Sequence, residues 1–354
     1  MQPLQIILFP FALCYGLIVW IRNLLFDLRI LPSEHFNIPV INVGNLSTGG
    51  TGKTPQIEYL IRLLSSRYFI ATLSRGYGRK SDGFIIGSKR SQAKYIGDEP
   101  LQYARKFPET KVAVDERRRR GIHLLLEKYP NLDVVLLDDA FQHRYVRPGF
   151  NILLTGYHSL YTEDFLLPSG RLREPRSGAD RADIILVTKT PKIFSPITRR
   201  RIVEEISPHK DQSVLFTYVK YGDPQPVYEQ SRPVYPAVVS KILLFTGIAY
   251  DYPLREHLQR MCSELVVIKF PDHHLYSRKD IERISQSFRD LPTQKKVIIT
   301  TEKDTMRLKI PELSEILKGL PLFYVPIEVG YQGSDEEKFK NLILKYVEDC
   351  KRNR

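Results

Sequence analysis

Apolar residues fall in short runs along most of this chain, and stretches of helical spacing separate them. The first runs are Pro39–Val43, Phe69–Ser74, Val112–Val114, Asp133–Leu137, Asn151–Thr155 and Asp183–Thr188. They are rich in Val, Ile and Leu, and each ends in polar or glycine-rich residues. That is the signature of parallel strands covered on both faces, with ligands held at their C-terminal ends. An α/β domain with a doubly wound parallel sheet is therefore expected over about 35–205. Between Ser213 and Ser240 the rhythm changes: two short extended stretches are broken by Pro224, Pro226, Pro233 and Pro236. Residues 206–240 read as a linker or small β-ribbon. The alternation resumes at Lys241–Thr246, Leu265–Phe270, Val297–Thr301 and Leu322–Pro326, which predicts a second, smaller α/β domain over 241–354.

The N-terminus stands apart. Residues 1–21 carry no charged side chain, and Ile6–Ile21 is a continuous non-polar or weakly polar run. A secretory signal would show a basic leader and a small-residue cleavage site, and neither is present. The run is short for a full span and Pro10 interrupts it. Residues 1–30 read as a helix lying in or dipping into a bilayer face, with Trp20, Arg22 and Arg29 at headgroup level. A buried core helix and a true transmembrane helix are the alternatives. A formal charge of +13 suits anionic partners, whether nucleotide, nucleic acid or phospholipid surface, although basicity also serves solubility. Cys14, Cys262 and Cys350 are too far apart to form a CxxC pair or a disulfide ladder, as fits a reducing compartment.

The most informative stretch is INVGNLSTGGTGKTPQ, residues 41–56. A β-branched run leads into Gly44, Gly49, Gly50 and Gly52, then Lys53-Thr54. Ile57, Leu60, Ile61 and Leu64 follow at helical spacing. Strand, glycine loop, Lys-Thr and helix form a phosphate-binding P-loop. Glycines let backbone N–H groups converge on phosphate, and the helix N-terminus adds donors and a positive dipole end. Residues Ser47, Thr48, Gly49, Gly50, Thr51, Gly52, Lys53 and Thr54 would cradle the triphosphate. Lys53 would reach the β/γ-phosphates and Thr54 would ligate Mg²⁺. Ser47 stands where the pattern has its opening glycine, and Gly49 and Gly50 restore the lost freedom.

Other stretches carry candidate chemistry. Val134–Asp139 is four apolar residues ending in two acids, a Walker B shape that would deliver Asp138 or Asp139 to the metal. Gln142 and His143 follow at the same strand end, where His143 either borders the site or is a hydrogen-bonded turn residue. Asp98 lies in Gly97-Asp98-Glu99-Pro100 before a helix. It reads as a cap or as the base that accepts a hydroxyl proton. Arg171 and Arg173 sit in a Pro/Gly-rich loop, LLPSGRLREP, that could clamp phosphate or be merely solvated. Pro271-Asp272-His273-His274 suggests a metal site or an acid–base pair, although adjacent histidines on a regular element point apart. Thr301-Glu302-Lys303-Asp304 lacks the Lys–Asp spacing of a guanine reader.

Together these stretches resemble the tetraacyldisaccharide 4′-kinase family. The resemblance rests on NVGNLSTGGTGKTP (42–55), LSRGYGR (73–79), GDEP (97–100), VAVDERRRRGI (112–122), LLDDAFQHR (136–144), LLPSGRLREP (166–175), FTGIA (245–249), FPDHHLY (270–276) and TEKDTMRL (301–308). Ala140 departs from the glycine usual there. The resemblance implies transfer of the ATP γ-phosphoryl to the 4′-hydroxyl of a tetraacylated glucosamine disaccharide 1-phosphate. It also implies Mg²⁺ and a monotopic enzyme on the cytoplasmic face of the inner membrane, with no nucleic acid partner. By the same resemblance Asp98 is the acid beside the acceptor hydroxyl and His273 its support. Asp138 and Asp139 become the metal-side acids. From their own positions, Arg171, Gln142 and His143 are expected near the substrate.

Two other classes compete. A membrane-associated ATPase switch shares the glycine loop, but its signature first lysine is Thr48 here, and such switches usually bind membrane through a C-terminal helix. A GTP-driven metallochaperone would need a guanine reader and a Cys/His cluster.

Overall fold

The structure is a computed structural model that describes residues 3–228 and 235–352. The chain forms two compact units, Met1–Val219 with Val329–Arg354, and Lys220–Glu328.

The first unit holds strands β1 (Val40–Gly44), β2 (Ile70–Ser74), β3 (Ile85–Gly87), β4 (Lys111–Val114), β5 (Val134–Asp138), β6 (Phe150–Gly156), β7 (Ile184–Thr188) and β8 (Ser213–Tyr221). Its helices are α1 (Pro3–Asp27), α2 (Lys53–Leu64), α3 (Ala93–Ile96), α4 (Asp98–Lys106), α5 (Arg118–Lys128) and α6 (Pro196–Ile206). The second unit adds β9 (Gln225–Pro226), α7 (Tyr252–Gln259), α8 (Arg278–Arg289), α9 (Glu302–Leu308) and α10 (Pro311–Leu317). Its remaining strands are β10 (Lys241–Thr246), β11 (Glu264–Lys269), β12 (Lys296–Thr301) and β13 (Leu322–Val325). The chain then returns through β14 (Ile327–Tyr331) and α11 (Asp335–Arg352).

The larger sheet runs β14-β8-β7-β6-β1-β5-β2-β4-β3. From β8 to β4 neighbours pair in parallel, and β3 is antiparallel to β4. Strands β1, β2, β5 and β7 are buried along their whole length, as their unbroken apolar runs require. Strand β1 lies between β5 and β6, so Gly44 and Asp138 emerge side by side at one sheet edge. The smaller sheet, β11-β10-β12-β13-β9, is parallel except for β9.

Two expectations change. Residues 206–240 are not simply a linker, because β8 continues the main sheet in register with β7, Ile184 opposite Ser213; residues 229–234, with Pro233, lie outside the described residues. The expected second domain, 241–354, also ends early. Phe339, Ile343 and Val347 of α11 complete the core built by Ile41, Ile57, Leu60 and Leu136 in the first unit. Their 3.6-residue spacing gives the helix one apolar face, and burying it on the larger sheet pulls the C-terminus back.

Helix α1 is neither a core helix nor a free one. Ala12, Val19 and Phe26, seven residues apart, form one buried stripe. Ile6, Ile7, Phe11, Leu13, Leu17 and Ile18 are each at least 58% exposed. Its stretch Gln5–Asp27 is long and apolar enough to cross a membrane. Exposed apolar surface on this scale marks an interaction face.

Candidate active site

The glycine loop leaves β1 and ends at Gly52, whose φ of +91° caps α2 in a left-handed conformation that a side chain would strain. Opposite it runs the 166–175 loop. Ser47 and Leu172 form an antiparallel bridge, the Thr48 amide donates to the Arg171 carbonyl (2.8 Å) and the Arg173 amide to the Leu46 carbonyl (2.7 Å). From the β7 end, the Thr188 hydroxyl donates to the Thr51 carbonyl (2.8 Å) and Lys189 Nζ to the Gly50 carbonyl (2.6 Å). The loop is thus held by its carbonyls and edges, while the first turn of α2 presents N–H groups that no helical carbonyl can satisfy. This is an anion cradle.

Lys53, the first residue of α2, donates to Asn45 Oδ1 (3.3 Å) and lies 3.7 Å from Asp139. Strand β5 ends at Asp138, and Asp139 turns out of it with φ +52°. This turn parts the two carboxylates. Arg173 grips Asp139 with both terminal nitrogens (2.8 and 3.2 Å) and also donates to the Asn45 carbonyl (2.9 Å). Desolvation works upward on the Asp139 pKa, but Lys53 and Arg173 outweigh it and hold the carboxyl below the usual range.

Asp138 is in the opposite condition. It is 2% exposed, and burial, then the neighbouring Glu99 and Asp139, push its carboxyl up to about 7 against Lys53 and a Tyr103 hydrogen bond. The Tyr103 hydroxyl donates to Oδ2 (2.9 Å), whereas Oδ1 is buried and, among the described residues, accepts no hydrogen bond. A buried carboxylate oxygen without a donor suits a cation, so this donor set fits Mg²⁺ better at Asp138 than at Asp139.

Gln142 Nε2 donates to the Asn45 carbonyl (2.9 Å) and to Glu174 (2.7 Å), bracing the loop from beneath. His143 is partly buried. Desolvation first, then the guanidiniums of Arg118, Arg22 and Arg75, lower its pKa to about 4, so it is neutral at neutral pH. Arg171 turns away to Asp164 (2.9 Å). Of the two arginines in that loop, Arg173 reaches the acids. Helix α1 docks on these same segments. Tyr15 Oη donates to the Arg173 carbonyl (2.8 Å), Arg22 to the Gln142 carbonyl (2.8 Å), and Ser169 Oγ to the Gln5 carbonyl (2.8 Å).

Asp98 opens α4 in the first unit. The preceding Gly97 has φ +91°, and a Cβ there would lie 3.2 Å from the Gly76 backbone. In the second unit His273 also takes a left-handed φ, +59°. Its ring nitrogens face Lys303 Nζ (3.1 Å) and Arg307 Nη2 (3.4 Å). His274 is engaged elsewhere, bonded to Asp280 (3.0 Å) and stacked on Phe270. Among the described residues no three His, Cys, Asp or Glu side chains gather to hold a metal by themselves. The sequence reading missed Tyr103, Asn45 and Lys189. Tyr103 sits in an amphipathic helix and looks like any core aromatic until its hydroxyl is traced.

Residues 4–348 match the family described as Tetraacyldisaccharide-1-P 4′-kinase. The tetraacyldisaccharide 4′-kinase of Flavobacterium psychrophilum is 48% identical, with 100% of each chain covered. That of Parabacteroides distasonis is 46% identical, covering 97% of this chain and 94% of its own. Among solved structures, an LpxK from Aquifex aeolicus, described as in complex with ATP, superposes with a TM-score of 0.73 at 29% identity. It covers 97% of this chain and 99% of its own.

Proposed function

The chain belongs to the tetraacyldisaccharide-1-P 4′-kinase family, and from that premise we propose how its residues divide the reaction. The protein moves the γ-phosphoryl of ATP to the 4′-hydroxyl of a tetraacyldisaccharide 1-phosphate in lipid A biosynthesis. The observation that carries this reading is the glycine loop with Lys53, Asp138 and Asp139 gathered at its mouth. The 47–54 loop wraps the triphosphate, Thr48 anchoring its outer edge to Arg171 while the first turn of α2 offers N–H groups, and Lys53 neutralises charge that builds on the transferred group. Arg173 restrains Asp139, which in turn keeps Lys53 aimed at the loop. The Thr54 hydroxyl and the Asp138 carboxylate would hold Mg²⁺, which when bound would supply positive charge against the phosphates. Asp98 accepts the proton of the attacking hydroxyl, and His273 is a second residue on which the same step depends. Gln142, His143 and Arg171 border the glycolipid. The exposed face of α1 rests in the bilayer, on the cytoplasmic side where ATP is available.

The proton assignment is tested by a double-mutant cycle. A positioned base is worth roughly 10²–10⁴-fold. Asp98→Ala should lower kcat by that order while the KM for ATP stays within a few-fold. His273→Ala should lower kcat too, and the double variant should lose little more than the worse single one, because groups acting as a unit are non-additive. A mainly raised ATP KM in Asp98→Ala would make that residue a nucleotide or metal ligand, and fully additive losses would separate His273 from it.

A further inference from the structure

Helix α4 begins with Asp98 and carries Tyr103 one and a half turns later. Tyr103 is fully buried in the core formed by α2, β1 and β5. A core phenol could have been a phenylalanine. Its hydroxyl instead donates to Asp138 Oδ2 at 2.9 Å. That bond fixes the carboxylate plane and leaves Oδ1, the oxygen with no hydrogen bond, as the acceptor still available. The helix is pinned a second time to the P-loop helix α2. Buried Glu58 accepts from Gln102 Nε2 (2.8 Å) and pairs with Lys106 Nζ (2.8 Å).

We propose that Tyr103 is a positioning residue for the phosphoryl transfer. It orients the Asp138 carboxylate toward the metal, and through α4 it ties that acid to Asp98 on one rigid helix. The proposal rests on the reading of Asp138 as a metal-side acid. The physical reason is general: partners that hydrogen-bond a ligating carboxylate fix its direction, and losing one typically weakens metal affinity by about 10–100-fold. Burial keeps the Tyr103 hydroxyl protonated, raising its pKa well above the ordinary tyrosine value, so it acts as a donor.

The test measures Mn²⁺ affinity of the full-length enzyme with bound ADP, by electron paramagnetic resonance, in four proteins: wild type, Tyr103→Phe, Gln102→Met and Asp138→Asn. Tyr103→Phe keeps the ring and its packing, and melting curves check that the fold is retained. The expected result is roughly tenfold weaker Mn²⁺ binding in Tyr103→Phe, with Gln102→Met near wild type and Asp138→Asn weaker still. Unchanged affinity in Tyr103→Phe, with Asp138→Asn weakened, overturns the role of Tyr103 alone. Equal weakening in Gln102→Met and Tyr103→Phe also overturns it, because general loosening of α4 then explains both. Unchanged affinity in Asp138→Asn removes the metal reading of that acid, and the proposal with it.

Discussion

Asp138 and Asp139 are adjacent in the chain and live in different chemical worlds. One is buried, half-satisfied and raised to about 7; the other is gripped by Arg173 and Lys53 and lowered. The buried strand ending in two acids was legible, because an apolar run closed by acid is a local pattern. Which acid does what was not legible. It depends on the turn at Asp139 and on Arg173, which arrives from 34 residues away. Arg171 and Arg173 looked equivalent for the same reason: alternate residues of a loop are separated only once the loop pairs with Ser47. His143 yields a prediction at this scale. Its folded pKa of about 4 lies below the ordinary value near ~6.5. The unfolded chain therefore binds the proton first, and this site's contribution, intact above about 6.5, is lost as pH falls toward 4. Arg118, Arg22 and Arg75 disfavour the charged ring, while Asp115 favours it. Melting temperature should fall more steeply between pH 7 and 5 in the wild type than in His143→Gln. Equal slopes, or a ring resonance titrating near 6.5, would contradict the burial account.

Most strands of both sheets were readable because each is an apolar run of strand length bounded by turns: Lys241–Thr246 is β10 as it stands, whereas the short β3 and the returning β14 were not read. The C-terminal return was not readable. Helix α11 shows an apolar face, but nothing local says which sheet covers it. Helix α1 is the element with the clearest consequence. One stripe and its polar groups dock on the loops that hold Arg173 and Gln142, and the rest of its apolar surface is open. Each fully buried large aliphatic side chain contributes ~1.5–3 kcal/mol, so losing two from a bilayer shifts partitioning by about two to four orders of magnitude. Deleting residues 1–25 should move the protein from vesicles to the soluble fraction in a sedimentation assay, with a smaller loss of ATP affinity. A truncated protein that still sediments with vesicles would rule out α1 as the anchor.

At the scale of the whole molecule, the chain holds two α/β units, a glycine loop at the end of β1 and an N-terminal helix long and apolar enough to cross a membrane. The same parts minus the acceptor would describe an ATPase switch, and the chemistry separates the two. The direct measurement is ATP consumption by the purified wild type, with and without tetraacyldisaccharide 1-phosphate in detergent micelles, together with mass and ³¹P analysis of the lipid. Lys53→Ala serves as the inactive reference. The account predicts one ADP per phosphate added at the 4′ position and little ATP turnover without acceptor. Steady ATP hydrolysis independent of the glycolipid, with the lipid recovered unphosphorylated, would contradict it.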